Sequence, residues 1–194
     1  MAVTGSNDST KIMRGPSVAY MNPTDPADGA VLTLTAGVPA DGVKLGLTES
    51  GWKIGVTYTE TSEEADETTV PFNKIVDVET LKAECSFFQA EDFSLLKLFT
   101  PTGTFASAGS SEKITFGGAQ VISATAKPGL LLVALQTEAA RYVYVQIYQA
   151  INTAGVEFEW TRKKSARVPV SMEALSVTTR TAGDQAGAFV KFIS

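Results

Sequence analysis

Two stretches near the middle of the chain alternate apolar and polar side chains with the period of a β-strand, and any fold must accommodate both. In WKIGVTYTE, Trp52, Ile54, Val56 and Tyr58 fall on one face against Lys53, Gly55, Thr57 and Thr59 on the other. In VDVETLKAECSF, Val76, Val78 and Thr80 give way to Leu81, Ala83, Cys85 and Phe87, and the change of phase near Thr80 suggests a bulge or bend. Together they form a natural antiparallel pair, a long hairpin over about residues 52–88. The connection between them, TSEEADETTVPFNKI, is too long for a tight turn and rich in acid. Residues 60–79 carry Glu60, Glu63, Glu64, Asp66, Glu67, Asp77 and Glu79 against Lys74 alone, a net −6 in a chain whose total is −5. Such a run is either a solvated loop tip or a surface kept for a partner.

The rest of the chain also reads as strand and loop. From Ile12 to Gly42 the residues Gly15, Pro16, Pro23, Pro26, Gly29, Gly37 and Pro39 recur too often for a helix, leaving short extended pieces at residues 17–20 and 30–35. Further strands are expected at residues 113–116, 129–136, 141–149, 156–161, 167–177 and 188–193. In RYVYVQIYQ, Tyr142, Tyr144 and Tyr148 share one face and Val143, Val145 and Ile147 the other. Both faces want cover, so this strand should be central or lie at a subunit contact. An interior strand with partly exposed tyrosines is at least as good a reading as a ligand platform. One helix is expected, in AEDFSLLKLF at residues 90–99, with Glu91 and Asp92 in its first turn and Thr100-Pro101 at its end. About three turns long, it requires docking on a sheet through Phe93, Leu96 and Phe99.

Length and composition fit one domain. Of 194 residues, 44% are hydrophobic and 19% charged, enough apolar material to offset the entropy of ordering the backbone. Residues 1–11, MAVTGSNDSTK, are small and polar without periodicity and read as a flexible arm; residues 12–194 read as a single β-rich domain. No stretch approaches the roughly 20 apolar residues of a spanning helix, so the expectation is a soluble protein made in the cytoplasm, with no membrane partner. The acidic balance argues against a protein that grips phosphates. Cys85 is the sole cysteine, which excludes an internal disulfide, and its inward strand position reads as a small buried apolar residue.

The search for chemistry yields no catalytic, metal or cofactor-binding residues. With no histidine anywhere, Ser-His-Asp and Cys-His nucleophiles and His-ligated metals are ruled out together. Glu157 and Glu159 in VEFEW point the same way, as an acid/base pair would, but with Val156, Phe158 and Trp160 opposite they read as the wet face of an amphipathic strand. Gly117-Gly118 lacks the Lys-Ser/Thr or the spacing of a phosphate loop. NPTDPADG, residues 22–29, lacks the ligand spacing of a calcium loop and reads as a turn. A basic cluster, Arg162, Lys163, Lys164 and Arg167, remains. It fits a phosphate patch less well than a complement to the acidic connection on a neighbouring copy of the chain.

From Gly46 to Asp92, GLTESGWKIGVTYTETSEEADETTVPFNKIVDVETLKAECSFFQAED resembles the heart of siphophage major tail tube proteins. The shared succession is a Gly-bounded start, a strand, an acidic connection, a strand with a Glu-Thr type sequence and a short helix. GPSVAYMNP is similar to the first strand of that family, and the likeness covers most of the chain. It implies two packed antiparallel sheets, a sandwich or barrel, flanked by one short helix and extended by the long hairpin. It further implies rings of six copies stacked into a virion tail tube, with the hairpin supplying an inner barrel and its loop and the N-terminal arm bridging subunits. Such a tube encloses a tape-measure protein, joins tail-end proteins and passes DNA without binding it. Of the acids, Glu60, Glu63, Glu64, Asp66, Glu67 and Glu79 would then serve the lumen wall or the contact between rings. Two other readings stand beside it: a ring-forming tube of a bacterial secretion system, and a monomeric β-sandwich adhesion module using the tyrosine face or the basic cluster.

Overall fold

The alternating runs become strands of a two-layer β-structure in the computed structural model of the protein, which describes residues 17–46, 48, 51–63, 73–87, 96, 99–100, 102, 104–108, 111–115, 127–136, 141–155, 157 and 167–193. The arm expected at residues 1–11 lies outside them, as does most of the strand expected at 156–161; Glu157 itself is exposed and not in a strand.

The first layer is a five-stranded antiparallel sheet in the order β11-β8-β7-β1-β2, built from β11 (Gly187–Ile193), β8 (Arg141–Ile147), β7 (Leu130–Gln136), β1 (Ser17–Met21) and β2 (Val43–Lys44). The second is a four-stranded antiparallel sheet in the order β3-β4-β10-β9, from β3 (Lys53–Glu63), β4 (Asn73–Phe87), β10 (Val168–Ala174) and β9 (Ala150–Asn152). A separate ribbon pairs β5 (Thr104–Ala108) with β6 (Ser111–Thr115).

Alternation decides what each sheet buries. Met21, Leu130, Leu132, Val145 and Ile147 face across to Leu81, Ala83, Phe87, Val168, Val170 and Met172, and these form one core between the layers. Burying each of the larger side chains is worth about 1.5–3 kcal/mol, so this contact dominates the stability of the fold. Leu96 and Phe99 have helical backbone and are buried in the same core; Phe93 and the rest of residues 90–99 lie outside the described residues, apart from Leu96 and Phe99 themselves. The Phe99 ring stands 5.1 Å from that of Phe87, which meets Trp52 edge-on at 5.7 Å.

The opposite face of the five-stranded sheet has its own smaller cluster of Tyr20, Leu131, Val133, Tyr142 and Tyr144, roofed by Leu32 and Leu34 from the loop after β1. Strand β8 is therefore interior and covered on both faces, as its doubly apolar sequence requires. The expectation of partly exposed tyrosines is corrected: Tyr142, Tyr144 and Tyr148 are all buried, and the Tyr144 hydroxyl donates to Leu32 O at 3.0 Å.

Other strand boundaries also shift. The run at residues 141–149 breaks after Ile147, because the chain switches sheets there: Tyr148 N donates to Ala186 O, and Ala150 N to Pro128 O, before β9 joins β10. The piece expected at 30–35 is loop, ending in a tight turn closed by Thr35 and Val38, with Ala36 and Gly37 at φ 51° and 79°.

The hairpin strands cross the first sheet rather than following it. Gly51, just before β3, lies against Ser17 of β1, where a Cβ would sit 3.7 Å from its Oγ. Farther along, Leu81 of β4 presses on Gly187 of β11, where a Cβ would lie 2.9 Å from Leu81 Cδ2 and would overlap the Gln146 carbonyl oxygen. Strands β3 and β4 thus run from the β1 side of the first sheet to its β11 edge and emerge beyond it.

Candidate functional site

Once past Val56 and Leu81 the hairpin has no described strand of the first sheet beneath it. Thr57 through Glu63 on β3 are all exposed, and so are Lys74, Ile75, Val76 and Glu79 on β4. At about 3.3 Å per residue the projecting part of β3 is roughly 20 Å long. Tyr58, expected on the buried face, is corrected to 57% exposed: the alternation places it properly, but the first sheet ends before reaching it.

Register fixes the faces of this arm. Tyr58 pairs with Glu79 and Thr59 with Val78, but Glu60 pairs with Val76, so Asp77 is an extra residue on β4. The bulge thus sits at Asp77, not near Thr80. Its effect is to carry Val76 and Lys74 onto the core-side face with Tyr58, Glu60 and Glu79, leaving Ile75 on the other. Lys74 Nζ reaches Glu60 Oε2 at 2.9 Å diagonally across that face, an exposed pair worth a fraction of a kcal/mol.

The result is a surface that water does not suit. A two-stranded hairpin alone is marginal, and this one shows Tyr58, Ile75 and Val76 at 57%, 45% and 53% exposure while β3 is the outermost of the described strands of its sheet. An open edge with apolar side chains is a template for pairing with another chain.

Of the acidic candidates, Glu60, Glu63 and Glu79 are on the arm; Glu64, Asp66 and Glu67 lie outside the described residues. Of the basic candidates, Arg167 is exposed immediately before β10, whose Val168 pairs with Phe87; Arg162, Lys163 and Lys164 lie outside the described residues. Phe87 and Asn73 are the two ends of the 15-residue β4. Arg167 and the arm's tip are therefore separated by about 46 Å at strand rise, too far to meet within one copy.

No family model and no curated protein matches the chain. The remaining polar features are structural in character. Burial pushes the Cys85 thiol well above its usual range, so it is not a poised nucleophile. Among the described residues no group of three metal-ligating side chains comes together, and no helix is long and apolar enough to cross a membrane. The solvent face of the four-stranded sheet carries Lys53, Lys82, Glu84 and Glu173, with Lys82 Nζ 3.1 Å from Glu84 Oε1, so its charges largely neutralise one another.

One polar cluster escaped the sequence reading. Arg180 stacks its guanidinium 3.7 Å above the Tyr148 ring, pairs with Asp184 at 2.9 Å and donates to Pro26 O at 3.1 Å. The Tyr148 hydroxyl donates to Asp184 Oδ1 at 2.5 Å, and Thr181 bonds Asp28. These bonds fasten the loop before β11 to the loop after β1. The only signal was the Arg-Asp spacing of four residues in RTAGD, which is common on any loop.

Proposed function

We propose that the chain is a structural subunit of a phage tail tube of the long non-contractile type, building rings of about six copies that stack into a conduit. The observation that carries this reading is the projecting β3–β4 arm, an exposed strand pair at the outer edge of the described sheet with apolar side chains on both faces. In a solitary molecule that edge is a hazard; in a ring, the four-stranded sheet continues from copy to copy and the edge is paired.

The resemblance of residues 46–92 to siphophage tail tube proteins supports the same reading. So does the chemistry of the solvent face of the four-stranded sheet, where self-neutralising Lys and Glu side chains offer neither a phosphate-gripping patch nor an apolar one. Such a wall lets a tape-measure protein be enclosed and DNA pass without retention. The acids Glu60, Glu63, Glu64, Asp66, Glu67 and Glu79 act at the lumen wall or between rings, repelling phosphate over about 8–10 Å at ordinary salt. The cluster Arg162, Lys163, Lys164 and Arg167 serves as their complement on a neighbouring copy, since a strand of β4's length keeps Arg167 from the arm acids within one chain. The reading assigns no catalytic residue, cofactor or metal.

Electron microscopy of the purified full chain tests it: rings or tubes are expected, and monomers at every concentration would refute it. Charge reversal at Glu63, Glu64 and Asp66 is expected to impair tube assembly or DNA delivery; full function in that variant would remove the role given to the acids.

A further inference from the structure

Among the described residues, the exposed large apolar side chains are Val31, Val38, Val43, Tyr58, Ile75, Val76 and Phe189. Apart from Val31, on the loop roofing the outer cluster, they divide between two opposite sides of the molecule. Val43 belongs to β2, the last strand at one end of the five-stranded sheet, and Val38 closes the turn just before it. Phe189 belongs to β11, the last strand at the other end, where the arm with Tyr58, Ile75 and Val76 emerges.

Facing matters more than exposure. Val43 pairs with Met21 and Phe189 with Val145, and both partners point into the core between the layers. Val43 and Phe189 therefore point toward the second layer, yet they remain 48% and 57% exposed. At both ends the five-stranded sheet overhangs the four-stranded one. The arm presents the converse: a stretch of second layer, with Tyr58 and Val76 on its core-side face, and no described strand of the first layer above it.

We propose that the arm of one copy lies beneath the β2 edge of the next, so that Tyr58 and Val76 cover the neighbour's Val43 and complete the layer its own four-stranded sheet leaves out. Charge agrees with this occupant. Arg167 lies on the receiving side: it precedes Val168, which pairs with Phe87, and Phe87 bridges Thr48 just after β2, whereas Lys44, paired with Tyr20, points to the opposite face. The arm brings Glu60, Glu63 and Glu79 against one lysine, Lys74. Asp41, the acid nearest β2, is turned back on its own loop, accepting from Thr24 N at 2.8 Å. The contact is head-to-tail, joining two different surfaces, so repetition generates a ring or filament rather than a closed dimer. It rests on the self-assembly reading above and specifies which surfaces meet.

Oxidative cross-linking of full-length single-cysteine additions tests it. Val43→Cys and Tyr58→Cys, mixed after separate purification and followed beside the wild type, should give a disulfide dimer that neither gives alone. The double variant should give a ladder of larger species. Circular dichroism and thermal melting of each variant establish that it folds. A dimer from either variant alone, as strong as from the mixture, would overturn the head-to-tail pairing. Rings or tubes by electron microscopy without the mixed dimer would overturn this contact while leaving the tube subunit standing. Folded monomers with neither assemblies nor cross-links would overturn both.

Discussion

Asn152 shows how much order one buried side chain can impose. Its Nδ2 donates to Phe99 O at 3.0 Å and Gly155 O at 2.8 Å, while its Oδ1 accepts from Ser171 N at 3.0 Å and Ala154 N at 3.2 Å. It therefore ties β9, β10 and the helical residues together with every polar atom used. Asn152→Ala should cost about 2–3 kcal/mol in urea unfolding, since it strands buried partners. Arg180 acts similarly at the other end, and Arg180→Lys should not restore stability lost in Arg180→Ala, because Nε, Nη1 and Nη2 and the stacked plane are all engaged. The hydrogen bonds from Tyr148, then Arg180, hold the Asp184 carboxyl down at about 2. A carboxylate depressed on folding stabilises above its unfolded value and loses that contribution as pH falls through its folded one. The stability gap between wild type and Asp184→Asn should therefore shrink as pH drops from about 4 to about 2; a gap constant over that range in urea titrations would contradict the account. Asp25 runs the opposite way, its pKa raised chiefly by burial, and partly offsets this trend in the total. At this scale the sequence reading caught what depends on alternation, such as the inward Cys85 and the two-faced β8. It missed Asn152 and Arg180, whose partners come from loops that no periodicity brings together.

On the proposed reading, the arm is the element that separates folding from assembly. Because Tyr58 and Val76 lie beyond the sandwich, the double change to serine should alter the stability of the isolated chain by less than about 0.5 kcal/mol, whereas Leu81→Ala, in the core, should cost about 2–4 kcal/mol. Equal losses in thermal or urea unfolding would mean that the arm packs on its own molecule. At Gly187 the Leu81 side chain of β4 presses on β11, and Gly187→Ala should destabilise by about 1–3 kcal/mol as the backbone yields around Leu81 and the Gln146 carbonyl. The hairpin was legible because its strands are long and one face is apolar. The bulge was misplaced by three residues because Val76, Val78 and Thr80 continue an even alternation that conceals the extra residue at Asp77. Strands β2 and β5 were missed for different reasons: β2 is two residues long, and TFASA in β5 is small and largely exposed.

For the whole molecule, a mainly β fold was readable from runs of alternation with too many Gly and Pro for helices, and its two packed antiparallel sheets were implied by the resemblance alone. Strand order was not, because neighbours such as β1 and β7, or β4 and β10, are far apart in the chain and are chosen by core packing rather than local pattern. Nor could the sequence reveal that the first sheet overhangs the second at both ends while the hairpin overshoots at one. That offset is what supports the proposal that the molecule is a subunit rather than a finished globule. Cryo-electron microscopy of the assembled full-length protein tests this most directly. The account predicts rings or tubes in which the density of residues 57–63 and 73–79 crosses a subunit boundary and lies against the next copy. Particles of a single chain, with those residues folded back on their own sandwich, would contradict it.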